Sequence, residues 1–187
     1  MRIYLVTKNK HKVQEIITIM KEFNIDVEHI PEEKVENKNM LLKEVAEYNV
    51  KLFYKKYKKP IVVDDTGVFF KAYPNFPGNK PKRVFEKIGY KGLLKKLEGK
   101  DRTVFFKTVV GYFDGKILKT FEGILECKAD DKVHDLDVDV LPYERILMVN
   151  GRPLSKFTRE DKNKISHRAI AFRKLGEWLN KRSYNAV

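Results

Sequence analysis

Arg2-Ile3-Tyr4-Leu5-Val6-Thr7-Lys8-Asn9-Lys10-His11-Lys12-Val13 is the stretch whose reading decides the fold. Ile3, Leu5 and Val6 give its first part the apolar character of a short strand, and the chain then turns polar at once. From Lys12 the period changes. Val13, Ile16, Ile17, Met20 and Phe23 recur at the spacing of one helix face. A strand, a tight polar turn and a helix, in that order, open an α/β fold.

Working outward, Asn24-Ile25-Asp26 ends this helix and residues 27–30 read as a second short strand. Residues 32–39 are polar and loop-like. Residues 40–57 predict a strong helix, with Leu41, Leu42, Val45, Ala46, Val50, Leu52 and Phe53 near one face, and Pro60 stops it. Ile61-Val62-Val63 reads as a short buried strand that ends at Asp64-Asp65-Thr66-Gly67. Residues 73–81 hold three of the seven prolines and predict irregular chain. Residues 82–97 return to helical spacing with a break at Gly89. Two β-rich runs, 102–112 and 116–128, flank Asp114-Gly115, a hairpin signal. Residues 130–139 are acidic and weakly patterned, and 145–149 predict a last strand. Thr158 then opens a final helix, with Glu160 and Asp161 near its positive end, continuing through Phe172, Leu175, Trp178 and Leu179. The order mixes βαβα units with a central hairpin, so the expectation is α/β with a mixed central sheet flanked by helices, as one domain over 1–187.

Composition narrows the function. With 42% hydrophobic residues the chain can bury a real core, which argues against extensive disorder. No apolar run approaches the roughly 20 residues of a membrane span, and the apolar opening is too short for a signal peptide. A cytoplasmic location is therefore expected, with no membrane partner. The single cysteine, Cys127, excludes an internal disulfide and a cysteine-rich zinc site, and reads as a small buried strand residue. A net charge of +13 fits nucleic acid, an anionic surface or a small polyanion. The lysines are spread along the chain, and only Lys55-Lys56-Tyr57-Lys58-Lys59 forms a compact cluster. Charge alone thus favours a phosphate-bearing ligand without saying which.

Three segments carry chemistry. Thr7-Lys8-Asn9-Lys10-His11-Lys12 lies between a strand and a helix, where backbone N–H groups and the helix dipole favour an anion. A hydroxyl, an amide and several ammonium groups there make a polyphosphate cradle, although a solvated basic turn fits the same residues. No glycine-rich P-loop spacing is present. Asp64-Asp65 follows a buried strand at the edge where α/β sheets bind ligands. Magnesium takes one or two carboxylates plus substrate phosphates, and a crowded like-charged pair makes one member a base for activating water. The other reading is a carboxylate capping a turn at Thr66-Gly67. Third, Lys162-Asn163-Lys164-Ile165-Ser166-His167-Arg168 offers neutral donors and cations suited to a base and a phosphate.

Taken together, these segments resemble the inosine triphosphate pyrophosphatase family, enzymes that remove deaminated purine nucleotides. The match runs through Thr7, Asn9, Lys12 and Glu15, with Lys8 where the family has Gly, then Asp65-Thr66-Gly67 and Pro77-Gly78. It ends in Asp161, Lys162, Ile165, Ser166, His167, Arg168 and Ala171. The resemblance implies an elongated two-lobed α/β fold with a cleft between the lobes, and a homodimer. It implies Mg²⁺-dependent hydrolysis of ITP, dITP or XTP between the α- and β-phosphates, giving a monophosphate and pyrophosphate. On that reading Asp65 is the metal-linked general base. Thr7, Lys8, Asn9, Lys12 and Lys162 hold phosphates, Thr66 also binds substrate, and Ser166, His167 and Arg168 meet the base. A 6-keto purine presents an acceptor where adenine presents a donor, so a hydrogen-bonding site of this kind can discriminate strongly.

The metal ligands implied are Asp65, Asp64 and the Glu nearest the family's position before the second helix, Glu36, although strict spacing falls on Asn37. The family's Lys on that helix falls on Asn49, with Lys51 two residues away. The base-pocket wall corresponds to residues 141–147, where Tyr143 is kept, Asp has become Glu144 and Leu141 stands for an aromatic. A different class also fits the charge: a catalytically weakened relative that binds nucleotide or RNA, which predicts salt-steep binding to single strands without metal-dependent pyrophosphate release.

Overall fold

The computed structural model describes residues 1–35 and 40–184. β1 (Arg2–Val6) passes through the polar turn into α1 (Lys10–Lys21), and the chain returns along β2 (Asp26–Ile30), parallel to β1. α2 (Leu42–Tyr57) ends where Lys58 turns left-handed two residues before Pro60. β3 (Ile61–Phe70), the two-residue β4 (Pro77–Gly78) and α3 (Pro81–Lys96) follow. β5 (Thr103–Phe113) and β6 (Leu118–Ala129) form the expected hairpin. Its turn is fixed by the Asp114 carboxylate, which accepts from the N–H groups of Lys116 and Ile117, and by Gly115 at φ 94°. β7 (Leu147–Val149), β8 (Arg152–Pro153), α4 (Arg159–Ile165) and α5 (His167–Tyr184) complete the described chain. The sheet runs β2-β1-β3-β5-β6-β7-β8, with β4 beside β3. Pairing is parallel around β1 and antiparallel from β3 onward, so the sheet is mixed. Among the described residues no helix is long and apolar enough to cross a membrane.

Three expectations need correction. The strand beginning at Ile61 does not end at Val63; it continues straight through Asp64-Asp65-Thr66-Gly67 to Phe70. β1 pairs only with Ile61 and Val62, but β5 pairs with every residue from Ile61 to Phe70. The antiparallel partner carries the strand on where the parallel one stops, so neither aspartate caps a turn. The final helix is also not continuous from Thr158. Ser166 is extended (φ −67°, ψ 150°), its N–H ends α4 on Lys162 O at 2.8 Å, and its Oγ accepts from Ala169 N at 3.1 Å. One serine thus closes α4 and caps α5. Third, Arg145 belongs to a 3-10 turn (Pro142–Arg145), and the last paired strands are the short β7 and β8.

Strand length explains the two lobes. At about 3.3 Å per residue, β3, β5 and β6 are long enough to serve two cores. Near one end, Val62, Val110, Tyr112 and Phe121 pack with Ile16, Met20, Phe172 and Leu175 of α1 and α5. Toward the other end, Val68, Phe70, Val104 and Phe106 pack with Leu93 of α3, Leu97, Ile146 and Leu147. The helix α2 covers the opposite face of the first lobe, with Val50 and Phe53 against Val6, Ile61 and Val63. The polar stretch of β3 lies between the two cores. At Gly123 of β6, a Cβ would stand 1.9 Å from the His167 carbonyl oxygen and 2.6 Å from Ala171 N. Only glycine lets the start of α5 lie this close to the sheet.

Candidate active site in the cleft between the lobes

A cleft of about 730 Å³ opens where the parallel β1 stops and β3 continues. That is within the size range of small-molecule sites. Its floor at the β1 end is organised by two side chains. Thr7 Oγ1 accepts from Asn9 N at 3.2 Å, and Asn9 Oδ1 caps α1 by accepting from His11 N at 3.0 Å and Lys12 N at 3.4 Å. His29 Nε2 donates to the Thr7 carbonyl at 2.7 Å and braces the turn from β2. The N-terminus of α1, with its partial positive charge, therefore lines the cleft together with Lys8 and Lys12. Lys8 is exposed and reaches Glu33 at 2.9 Å.

The neighbouring aspartates do not share one cradle. Consecutive residues on a strand point to opposite faces, and Asp64 points to the α1–α5 side with no exposed side-chain surface. Its Oδ2 accepts from Lys12 Nζ at 2.8 Å and from Arg168 Nε at 3.3 Å, while Oδ1 lies buried without a hydrogen-bond partner among the described residues. Burial pushes this carboxyl up, but the charges of Lys12, Arg168 and Lys34 outweigh it and hold it well below the usual carboxylate range. Asp65 instead lines the cleft, 13% exposed, with Oδ1 at 2.7 Å from Lys34 Nζ. Burial raises its carboxyl above the ordinary value against the pull of Lys34 and Lys12. The paired-carboxylate metal cradle is thus corrected: β-strand alternation turns Asp64 away, and only Asp65 offers its carboxylate to the cleft.

Across the cleft, Arg168 donates to Glu15 at 2.7 Å as well as to Asp64, and Ser166 Oγ donates to Glu15 at 3.2 Å. Glu15 and Asp64 together hold the Arg168 guanidinium charged despite its burial. The His167 ring stacks on Phe106, with centroids 4.8 Å apart and planes 10° apart. Burial, then Arg168 and Lys12, push its imidazole well below the ordinary value. Its Nδ1 and the Oδ1 of Asn163 are buried in the cleft wall without partners among the described residues. Lys162 is tied to Glu144 at 2.7 Å, so an expected phosphate contact and an expected base contact meet each other. Tyr143 also lines the cleft, but it is 4% exposed, and its hydroxyl donates to Pro81 O at 3.0 Å. Leu141 beside it is 60% exposed.

Thr66 completes the floor, its Oγ1 2.8 Å from that of Thr108 on β5. Glu36 lies outside the described residues. Among the described residues no three His, Cys, Asp or Glu side chains cluster as a ready metal cage. Asp65 nonetheless fits magnesium, which binds through one or two carboxylates and completes its shell with phosphate oxygens and water. Two residues of the site have no role in the sequence reading. Glu15 enters it only as a matching residue of the opening motif, three residues after Lys12 on the same helix face. Lys34 carries no signal: it is one charged residue in a polar loop, and its partner is 31 residues away. Cys127 is buried, and burial pushes its thiol up to about 12, consistent with an inert strand residue.

A basic strand–helix turn facing the Asp65 carboxylate, across from a wall of buried hydrogen-bonding groups, defines a cleft suited to a phosphorylated ligand with a polar head. The chain belongs to the Ham1 family, whose sequence profile matches residues 3–178. It is 38% identical over 182 residues to a dITP/XTP pyrophosphatase of Saccharolobus solfataricus, covering 95% of this chain and 93% of that one. It is 34% identical to the protein of the same name from Thermococcus kodakarensis, covering 96% and 97%. Its fold matches a HAM1 protein from Coxiella burnetii with a TM-score of 0.81 at 20% identity, over 97% of this chain and 99% of the other.

Proposed function

We propose that this chain is a nucleoside triphosphate pyrophosphatase that hydrolyses deaminated purine nucleotides such as XTP, dITP and ITP to the monophosphate and pyrophosphate. The observation that carries the reading is the placement of Asp65. Among the described residues it is the one strand carboxylate lining the cleft, with the α1 turn and the Ser166–Arg168 wall. The names of the relatives from Saccharolobus and Thermococcus support the substrate class.

On this reading the triphosphate lies along Thr7 to Lys12, where the helix terminus and the ammonium groups offset its charge. Asp65 takes a proton from the water that attacks the α-phosphorus. The bond from that phosphorus to the bridging oxygen breaks, and pyrophosphate leaves with the electron pair. The raised Asp65 carboxyl suits a base that must release its proton again. Magnesium held by Asp65 and the phosphates would supply charge neutralisation for the leaving group. The purine lies between the 166–168 wall and Leu141, with its keto edge toward the buried donors. Lys162 leaves Glu144 for a phosphate when the nucleotide is bound. A cytoplasmic homodimer belongs to the same reading, and sedimentation velocity tests the dimer.

The test is pyrophosphate release with Mg²⁺ from XTP, dITP, ITP, GTP and ATP. Release from the first three, weak release from GTP and ATP, and loss in Asp65→Asn are expected. No release from any of the five would end the proposal.

A further inference from the structure

The loop after β2 carries a cation that no part of the site described so far requires. Lys34 is 13% exposed and turns its ammonium into the cleft. Nζ lies 2.7 Å from Asp65 Oδ1 and 2.5 Å from the Asp64 carbonyl oxygen. A carboxylate oxygen beside a backbone carbonyl oxygen is the donor chemistry that a hard divalent cation uses. The lysine is also held there. Asn49 of α2, with no exposed surface, accepts from Val35 N at 2.8 Å and donates to Val35 O at 2.9 Å and to Val45 O at 2.8 Å. A buried amide gripping both backbone groups of the next residue fixes the loop against the helix, and with it the base of the Lys34 side chain.

We propose that Lys34 is a positioning residue for Asp65: a tethered cation that keeps the carboxylate aimed at the cleft and yields its place when a divalent ion arrives with the substrate. The proposal rests on the reading of Asp65 as the working carboxylate. It accounts for how a desolvated carboxylate stays ordered before substrate binds, because an uncompensated charge at that depth is costly. It also makes metal binding a competition, since the ion must displace an ammonium already in contact with its ligand.

The experiment is Mn²⁺ binding to the nucleotide-free protein, followed by electron paramagnetic resonance, for the wild type, Lys34→Gln, Lys34→Arg and Asp65→Asn. Removing the competing charge in Lys34→Gln should tighten Mn²⁺ binding on the order of tenfold, the scale on which a neighbouring charge moves a carboxylate's affinity for a proton. Lys34→Arg keeps the charge and should bind Mn²⁺ like the wild type. In steady state, Lys34→Gln should lower kcat more than it raises KM, with kcat recovered in Lys34→Arg. Unchanged or weaker Mn²⁺ binding in Lys34→Gln, with binding abolished in Asp65→Asn, overturns the role of Lys34 and leaves that of Asp65 intact. If Asp65→Asn keeps both Mn²⁺ binding and pyrophosphate release, the underlying reading of Asp65 fails instead. Circular dichroism and a melting curve for each variant separate either result from misfolding.

Discussion

On one face of β3, Asp64 lies between Lys12 of α1 and Arg168 of α5 with no exposed side-chain surface. On the other, one residue later, Asp65 meets Lys34 and the cleft. The first carboxylate belongs to a closed network of Lys12, Asp64, Arg168 and Glu15, two cations and two anions that join α1, β3 and α5. The second has a single described cationic partner and a side open to ligand. Burial acts on both in the same direction, yet the two carboxyls move oppositely, because Asp64 has two cations in direct contact and Asp65 has one. Adjacency in sequence therefore says little about role. The face decides it, and the face follows from strand alternation.

The largest break in this comparison comes from the open side. Asp65→Asn should lower pyrophosphate release by about 10²- to 10⁴-fold, the usual contribution of a general base, while the urea midpoint stays near that of the wild type. Turnover close to wild type would remove the distinction between the two aspartates. The closed side should respond in stability. Asp64→Ala leaves Lys12 and Arg168 without their shared anion, and losing one partner of a buried ion network costs about 3–5 kcal/mol, read by urea unfolding. Its pH dependence has a definite sign. The folded Asp64 carboxyl sits below its unfolded value, so its stabilisation is complete above the ordinary aspartate pKa of about 3.9 and is lost as pH falls below that toward the folded value. The stability gap between wild type and Asp64→Ala should accordingly narrow in acid. A gap that widens in acid would contradict the assignment.

Smaller effects sharpen the picture. Gly123→Ala forces a methyl group against the His167 carbonyl and should cost about 1–3 kcal/mol, as overpacking does. Because the displaced residues form the wall proposed to meet the purine, KM for XTP should rise as well. A variant that is destabilised with unchanged KM would separate the packing role from the binding role. Smallest is Glu144→Gln. The Lys162–Glu144 pair is partly exposed, so the change should alter stability by less than about 1 kcal/mol. Freeing Lys162 should leave KM for the triphosphate unchanged or lower, measured in the same pyrophosphate assay.

Much of this is legible in the sequence. The strand–turn–helix at residues 2–23 and the hairpin around Asp114-Gly115 rest on local period and turn chemistry, and both appear as read. The break at Gly89 is there too, at φ 57° within α3. What escaped the reading depends on distant partners. β3 extends beyond Val63 because β5, some forty residues later, pairs with it throughout. The helix after Thr158 is interrupted at Ser166, where the hydroxyl serves both α5 and Glu15, 151 residues away. Of the site, the Thr7–Lys12 turn, Asp65 and the Ser166–Arg168 segment were readable as motifs, and all line one cleft. Asp64 was misread because its neighbours in space, Lys12 and Arg168, lie 52 and 104 residues away. Lys34 carried no pattern at all; only the Asn49 clamp and the cleft give it meaning.

The missing side chain at Gly123 has a further consequence for how this enzyme can adapt. With α5 seated on β6 at a separation no larger residue allows, the surface proposed to lie beneath the purine behaves as an anvil, fixed in height by backbone atoms. Bulkier or smaller bases must then be accommodated by the opposing jaw around residues 139–145, where Leu141 is exposed and adjoining backbone is irregular. New substrate preference in this lineage is therefore to be sought among substitutions in that jaw, while the anvil sets the limit within which they act.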